Sequence, residues 1–377
     1  MRFVASADWQ LGMTAHFLDD QARPRFHQAR LEAVRRIGQV AEQHEASFVV
    51  VCGDVFETNQ LDRAIVAQVF EELRAFTMPV VLVPGNHDPL DAASIYDSPA
   101  FADKRPGHVH VLRDSDPFEV VPGAQVVGAP WFSKRPEEDL VARACAPLEP
   151  APPQVVRVIA GHGAVSTLNP DRESLATIDV SSLRDVLDSG RAHVAVLGDR
   201  HGTYQVCPRV WYPGTPEVTA RREVDPGNVL VVDVDPATGT TAAEKVRVGN
   251  WSFLEIEERL DSAADVDLLG QRLMALPDKD RTALWLSLSG TLTLTAKARL
   301  DAVVDEARDL FARVDYWQRH TDLAVVPDGH DFADLRLGGF AEAALDELRQ
   351  QATGDGEGAQ TAQDALGLLY RFAGAGR

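Results

Sequence analysis

Apolar residues in this chain fall into short β-branched runs that end at glycine or proline, alternating with longer stretches of helical period. Phe3-Val4-Ala5 reads as a short buried strand, and Leu31, Val34, Ile37, Val40 and Ala41 then recur at helical spacing between about Arg23 and His44. Phe48-Val49-Val50-Val51-Cys52 is bounded by Gly53 and reads as a strand buried on both faces. Ile65, Val69, Phe70 and Leu73 mark a second helix, and Pro79 opens the strand Val80-Val81-Leu82-Val83. Further strands are predicted at Gln125–Val127, Val155–Ala160 and Val194–Leu197, and then around Trp211 and over Val229–Val234 with no helix between them. Alternation giving way to successive strands predicts an α/β fold in which layered sheets form a β-sandwich flanked by helices.

The pattern changes after about Asn250. Helical stretches (Val266–Leu276, Ala298–Phe311, Ala341–Gln351) alternate there with the strand-like runs Leu284–Leu288 and Leu323–Val326, which predicts a second, smaller α/β unit. Gly354–Gly358 reads as a flexible linker, followed by an amphipathic helix carrying Ala365, Leu366, Leu369, Tyr370 and Phe372. That apolar stripe suits core packing or a docking helix equally. The resulting division is 1–250, 251–352 and 353–377.

Composition narrows the class. Of 377 residues, 45% are hydrophobic and 25% charged, an ordinary globular balance. No apolar run approaches the roughly 18 residues of a membrane span, and the opening Met-Arg-Phe-Val-Ala-Ser-Ala-Asp turns polar too early for a signal peptide. Cys52, Cys145 and Cys207 are odd in number and lack metal-ligand spacing, which fits a reducing cytoplasm and no membrane association. The net charge of −20 argues against unaided DNA binding, which needs a basic surface. Arg35-Arg36, Lys104-Arg105, Lys134-Arg135 and Arg221-Arg222 are scattered pairs of solvated-surface type.

The chemistry sits at strand ends. Asp8 in Ser-Ala-Asp-Trp-Gln, Asp54 in Gly-Asp-Val-Phe, Asn86-His87-Asp88 after Pro84-Gly85, His162 between two glycines, and Asp199 with His201 each follow a predicted strand. Loops on a rigid sheet are where sites are commonly built, and the glycine preceding four of these groups lets the backbone turn sharply. Oxygen and imidazole donors without thiolate suit Mn²⁺, Fe or Mg²⁺.

The ordered set resembles the calcineurin-like metallophosphoesterases, and more narrowly the SbcD-type DNA double-strand-break repair nucleases. The narrower likeness rests on Asp8-Trp9-Gln10-Leu11-Gly12, Gly53-Asp54-Val55-Phe56, Pro84-Gly85-Asn86-His87-Asp88 and Tyr212-Pro213-Gly214-Thr215-Pro216-Glu217, and spans about the first 235 residues. The resemblance implies a metal-dependent DNA exonuclease or endonuclease in repair and recombination. It would hydrolyse phosphodiesters with two divalent ions, most simply Mn²⁺, alongside an SbcC-type coiled-coil ATPase and as a homodimer. It also casts residues 251–352 as a capping domain. Asp54 would bridge the metals, with Asp8, Gln10 and His201 completing one site and Asn86, His162 and Asp199 the other. The catalytic residues would be His87, acting on the scissile phosphate, and Asp88, orienting His87 or a ligand. No Walker-type phosphate loop is present, so the chain is not itself the ATPase.

Three positions depart from the family pattern: Gln10 and Asp199 stand where histidine is usual, and Glu57 stands where many such nucleases carry histidine. A neutral amide is a poorer ligand than imidazole, so the first metal should bind more weakly, while the Asp199 carboxylate favours a hard cation. Two other functions stay open. One is a small-nucleotide phosphodiesterase or phosphatase, and the other a non-catalytic assembly subunit. Trp9 suits packing, Arg200 suits a phosphate contact or a surface role, and Tyr212–Glu217 suits a turn at the edge of the cleft. His16, His27, His44, His108, His110, His193, His320 and His330 read as structural or exposed.

Overall fold

The computed structural model describes residues 1–169, 171, 174–326, 339–352, 358, 361–362 and 365–366. The chain forms two compact units, Met1–Trp251 and Ser252–Arg377. Residues 354–357 of the expected linker, the stripe residues Leu369, Tyr370 and Phe372, and His330 lie outside the described residues; Leu366 is described and buried.

In the first unit the strands are β1 (Arg2–Ser6), β2 (Val49–Cys52), β3 (Val80–Val83), β4 (Val109–Val111), β5 (Phe118–Val121), β6 (Ala124–Gly128), β7 (Val156–His162), β8 (Val194–Gly198), β9 (Tyr204–Cys207), β10 (Val210–Tyr212), β11 (Asn228–Val234) and β12 (Thr241–Arg247). The helices are α1 (Ala22–Gln43), α2 (Arg63–Leu73), α3 (Pro99–Ala102), α4 (Leu140–Cys145) and α5 (Val180–Asp188). One sheet runs β12-β11-β1-β2-β3-β4 and the other β5-β6-β7-β8-β10-β9.

Side-chain alternation decides how these layers stack. In β1 and β2, Phe3, Ala5, Val50 and Cys52 face the second sheet, where they meet Val158, Ala160, Val194 and Val196 of β7 and β8. Val4, Val49 and Val51 face the opposite way, into a core shared with Val34 and Ile37 of α1 and Val69 and Phe70 of α2. On the outer face of the second sheet, Ile159, Ala195 and Leu197 pack against α4 and α5 through Val141, Leu183 and Val186. Each central strand is therefore covered on both faces, so its sequence is a continuous apolar run. Fully burying one such valine contributes about 1.5–3 kcal/mol. The result is a helix, sheet, sheet, helix sandwich, as the alternation of the sequence predicts.

Parallel pairing sets where the loops emerge. β1, β2 and β3 are mutually parallel neighbours, as are β7 and β8. Their carboxyl ends therefore open on one edge of each sheet, the place where open α/β sheets bind ligands. Every candidate ligand lies at one of these five ends.

The second unit comprises β13 (Ser252–Leu260), α6 (Ala263–Ala275), β14 (Thr282–Thr293), α7 (Leu294–Leu310), β15 (Arg313–Tyr316), β16 (Asp322–Val326) and α8 (Phe340–Ala352). β14 is the spine, pairing in parallel with β13, β15 and β16. Leu284, Leu286 and Leu288 from that strand meet Leu269 and Leu273 of α6 and Leu300 and Val304 of α7. Among the described residues, no helix is long and apolar enough to cross a membrane.

Candidate metal centre

Four of the candidate ligands hold left-handed backbone conformations: Asp8 (φ 53°), Gln10 (φ 42°), Asp54 (φ 53°) and Asp199 (φ 89°). Non-glycine residues rarely adopt this region, which costs of order 1–3 kcal/mol each and persists where surrounding structure enforces it. Here the enforcement is a ladder between loops. The Asp8 N–H donates to the Gly53 carbonyl (3.1 Å), and the Gln10 N–H to the Asp54 carbonyl (2.8 Å). The Asp199 N–H donates to the Asp8 carboxylate (3.0 Å).

The glycines do more than turn the chain. Gly53 is left-handed (φ 85°), as the sharp-turn expectation requires. Gly198 is not, and is needed for space: a Cβ there would fall on the Cys52 carbonyl oxygen and against the His162 ring. β2, β7 and β8 thus approach more closely at their ends than a side chain would permit.

Asp8, Asp54 and His162 are all buried, with a carboxylate oxygen or ring nitrogen from each lying within 4.8 Å of the others. His162 organises the deeper half. Its Nδ1 donates to the Cys52 carbonyl (2.9 Å), while Nε2 faces Asn86 Oδ1 at 2.7 Å, Asp54 Oδ2 at 3.4 Å and Asp199 Oδ1 at 3.9 Å. Trp131 braces it, edge-on at 5.7 Å, and donates from its indole to the His162 carbonyl. His201 organises the other half. Its Nδ1 donates to Glu223 Oε1 (2.6 Å) and lies 2.7 Å from Thr219 Oγ1, while its Nε2 meets the Gln10 amide nitrogen at 3.1 Å.

The donor set fits divalent cations. With Nδ1–H of each histidine spent on an oxygen acceptor, each Nε2 presents a lone pair to the site. In the deeper half that lone pair faces three oxygen acceptors, a repulsive arrangement that a cation converts into coordination. Without such an ion the charges resolve through protons. Burial pushes the Asp8 carboxyl up to about 7, against the pull of His201 and His162. Burial works against a charged His201, yet the Glu223 hydrogen bond and the Asp8 carboxylate hold it up at about 9. His162 is likewise held well above its ordinary value by Asp54, against its burial.

Gln10 and Asp199 now have concrete positions. The Gln10 amide occupies the metal-facing nitrogen of His201, so that half must exchange a hydrogen bond for an ion. The Asp199 side chain is 40% exposed and stands at the rim.

His87 lies beside the cluster and not in it. Its N–H donates to Asp54 Oδ1 (2.9 Å), its Nδ1 donates to the Glu57 carbonyl (2.9 Å), and its Nε2 is 4.0 Å from Asp54 Oδ2. Glu57, the third departure, thus orients His87 through its backbone, a contact that does not depend on its side chain. Asp88 is turned inward. Wholly buried, it accepts from the Gly85 N–H (2.8 Å), the Phe56 N–H (3.1 Å) and the Tyr96 hydroxyl (2.6 Å). Burial, aided by Asp54, raises its carboxyl to about 6. Asp88 fastens the loop that carries Asn86 and His87 to the loop that carries Asp54.

The Tyr212–Glu217 turn backs the same centre. The Thr215 hydroxyl donates to the Asp8 carbonyl (2.8 Å), its N–H donates to the His201 carbonyl (2.9 Å), and Tyr212 donates to the Gly163 carbonyl (2.8 Å). Trp9 is packing, buried and donating to Ser6 Oγ. Arg200 lies over the Tyr204 ring, its guanidinium carbon 4.8 Å from the centroid.

Glu223 was invisible in the sequence, since it follows the solvated-looking pair Arg221-Arg222 in a segment without strand or helix. A carboxylate that orients a metal-binding histidine typically changes metal affinity or activity 10–100-fold when altered. Glu223→Gln should therefore weaken metal binding by about tenfold or more while leaving the fold intact. Metal titration followed by calorimetry, with circular dichroism as the fold control, checks this.

A model of the family described as calcineurin-like phosphoesterase matches residues 1–203. Curated proteins give no match. Among solved structures, a Thermus thermophilus protein is 11% identical with a TM-score of 0.38, over 66% of this chain and 98% of that one. GAP50, the anchor in the inner membrane complex of Plasmodium, is 11% identical with a TM-score of 0.39, over 66% of this chain and 91% of its own. The purple acid phosphatase PPD1 of yellow lupin seeds is 12% identical with a TM-score of 0.36, over 67% of this chain and 54% of its own.

Proposed function

The chain belongs to the calcineurin-like phosphoesterase family, whose reaction is metal-dependent phosphoester hydrolysis, and from that premise we propose that it cleaves DNA phosphodiesters in repair, in concert with an SbcC-type coiled-coil ATPase and as a homodimer. The observation that carries the reading is the convergence of Asp8, Asp54 and His162, with Asn86, Asp199 and the Gln10–His201 pair around them, from five strand ends. Asp54 would bridge two ions. Asp8, Gln10 and His201 would hold one, and Asn86, His162 and Asp199 the other. Bound divalent ions supply Lewis-acid polarisation and acidify the attacking water. The chain's own groups then position and exclude. Asp88 and Tyr96 fix the His87 loop, Glu223 fixes the tautomer of His201, and His87 Nε2 is placed to give a proton to the departing oxygen.

Support for DNA as the substrate comes from the narrower motif being wired into the site. Thr215 of the Tyr212–Glu217 segment holds the carbonyls of both Asp8 and His201. The net charge of −20 favours a second reading, a small-nucleotide phosphodiesterase or phosphatase. The Gln10 amide on His201 favours a third, an assembly subunit without turnover.

Incubation with linear duplex DNA and Mn²⁺ at low salt is expected to release nucleotides, with none in excess chelator. Rapid hydrolysis of small phosphodiesters with the DNA left intact selects the second reading. Inertness toward both selects the third.

A further inference from the structure

The loop that carries Asp8 and Gln10 has a second face. Behind it, between Leu11, Gly12 and the helices α1 and α2, lies an open cavity of about 350 Å³, within the range small ligands occupy. Leu31 and Ile65 give it an apolar wall, and Arg23, Arg30, His16 and His27 give it a polar one. In a protein of net charge −20, no aspartate or glutamate among the described residues lines this cavity.

Arg30 is the unusual member. It is 3% exposed, and its guanidinium is held by the backbone carbonyls of Trp9, Glu217 and Val218 and by the Phe26 ring. No carboxylate pairs with it among the described residues; Glu217, Glu223 and Glu57 act on it only from a distance. Its Nε, and that of Arg23, have no hydrogen-bond partner. Arg23 donates to the Leu18 carbonyl (2.7 Å) and meets the exposed Asp20 at 3.5 Å. A buried cation with no carboxylate in direct contact is costly, and an anion in the adjoining cavity relieves part of that cost.

We propose that this cavity is a second, metal-independent binding site that takes a phosphate monoester with an apolar body, of the nucleoside monophosphate class. The guanidinium groups of Arg23 and Arg30 receive the phosphate, with His16 and His27 as polar neighbours in the same wall, and Leu31 and Ile65 receive the base. The choice of phosphate over carboxylate rests on the phosphoester chemistry of the adjoining centre. Because the Trp9 carbonyl accepts from Arg30, an occupant bears on the segment between Asp8 and Gln10.

The test is calorimetric titration of the full-length chain in excess chelator at low salt, using thymidine monophosphate, thymidine and inorganic phosphate. Chelation silences hydrolysis, so a chain inactive on DNA can still be tested for this binding, and failure to bind leaves the hydrolytic reading standing. Thymidine monophosphate is expected to bind, and both fragments to bind at least about tenfold more weakly. Gln68→Glu adds a carboxylate at an exposed rim position of α2 and should weaken the monophosphate by about tenfold or more, as a nearby like charge does. Ile65→Trp should fill the cavity and abolish binding, with thermal unfolding reporting that the fold is kept. Absence of binding at millimolar ligand, equal affinity for thymidine, or an affinity that Gln68→Glu leaves unchanged overturns the proposal.

Discussion

Asp54→Asn is expected to lower phosphodiester hydrolysis by about 10³-fold or more and to reduce bound metal below the content of the native chain. The substitution is chosen for what it preserves. Asp54 is left-handed at φ 53°, a conformation asparagine tolerates. An amide oxygen can still accept the His87 N–H now held by Oδ1, so the fold and the His87 loop are retained. What goes is the charge on Oδ2, the atom 3.4 Å from His162 Nε2 and 4.0 Å from His87 Nε2. Its replacement, an amide N–H group, points a donor into a space lined by ligand atoms. Divalent ions supply several kcal/mol of charge stabilisation to such a reaction, and each 1.36 kcal/mol is tenfold in rate. Elemental analysis alongside hydrolysis of bis(p-nitrophenyl) phosphate reads both effects. Full metal content with native turnover would remove Asp54 from the bridging position.

How much of this was legible beforehand depended on whether a residue's surroundings are local. Val49-Val50-Val51-Cys52 announces a strand covered on both faces, since only burial on both sides tolerates four apolar positions in a row. The five strand-end motifs were equally readable, and the parallel pairing of β1, β2 and β3 and of β7 and β8 brings them together. Less legible were strands with mixed surfaces. Thr241–Arg247 is an edge strand with alternately half-buried and exposed residues, and Ser252–Leu260 carries Glu255, Glu257 and Glu258 within a strand. Pairing with a partner strand, β12 with β11 across a short turn and β13 with the more distant β14, makes these strands, and composition does not. The hidden site residues share that character. Glu223 and Cys52 act on histidines through a side chain and a carbonyl brought near by folding alone. The glycine before four of the five ligand groups reads in sequence as a turn, but at Gly198 its purpose is the closeness of β2 and β8, a distance no single strand encodes.

His87→Ala is expected to separate catalysis from metal binding. The imidazole touches the Glu57 carbonyl, lies 3.8 Å from the Glu57 carboxylate and approaches Asp54 at 4.0 Å, so its removal takes no ligand from the cluster. The backbone N–H that donates to Asp54 survives in alanine. Bound metal should therefore match the native chain while turnover falls by about 10²–10⁴-fold, the usual worth of a positioned general acid or base. Its Nδ1–H is fixed on a carbonyl, so the exchangeable proton sits on Nε2, toward the site. A leaving deoxyribose oxygen needs that proton, whereas p-nitrophenolate departs without it. The loss should thus be large on DNA and much smaller on bis(p-nitrophenyl) phosphate. An equal loss on both would assign His87 to stabilising charge on the phosphoryl group instead, and a loss of metal would place it among the ligands.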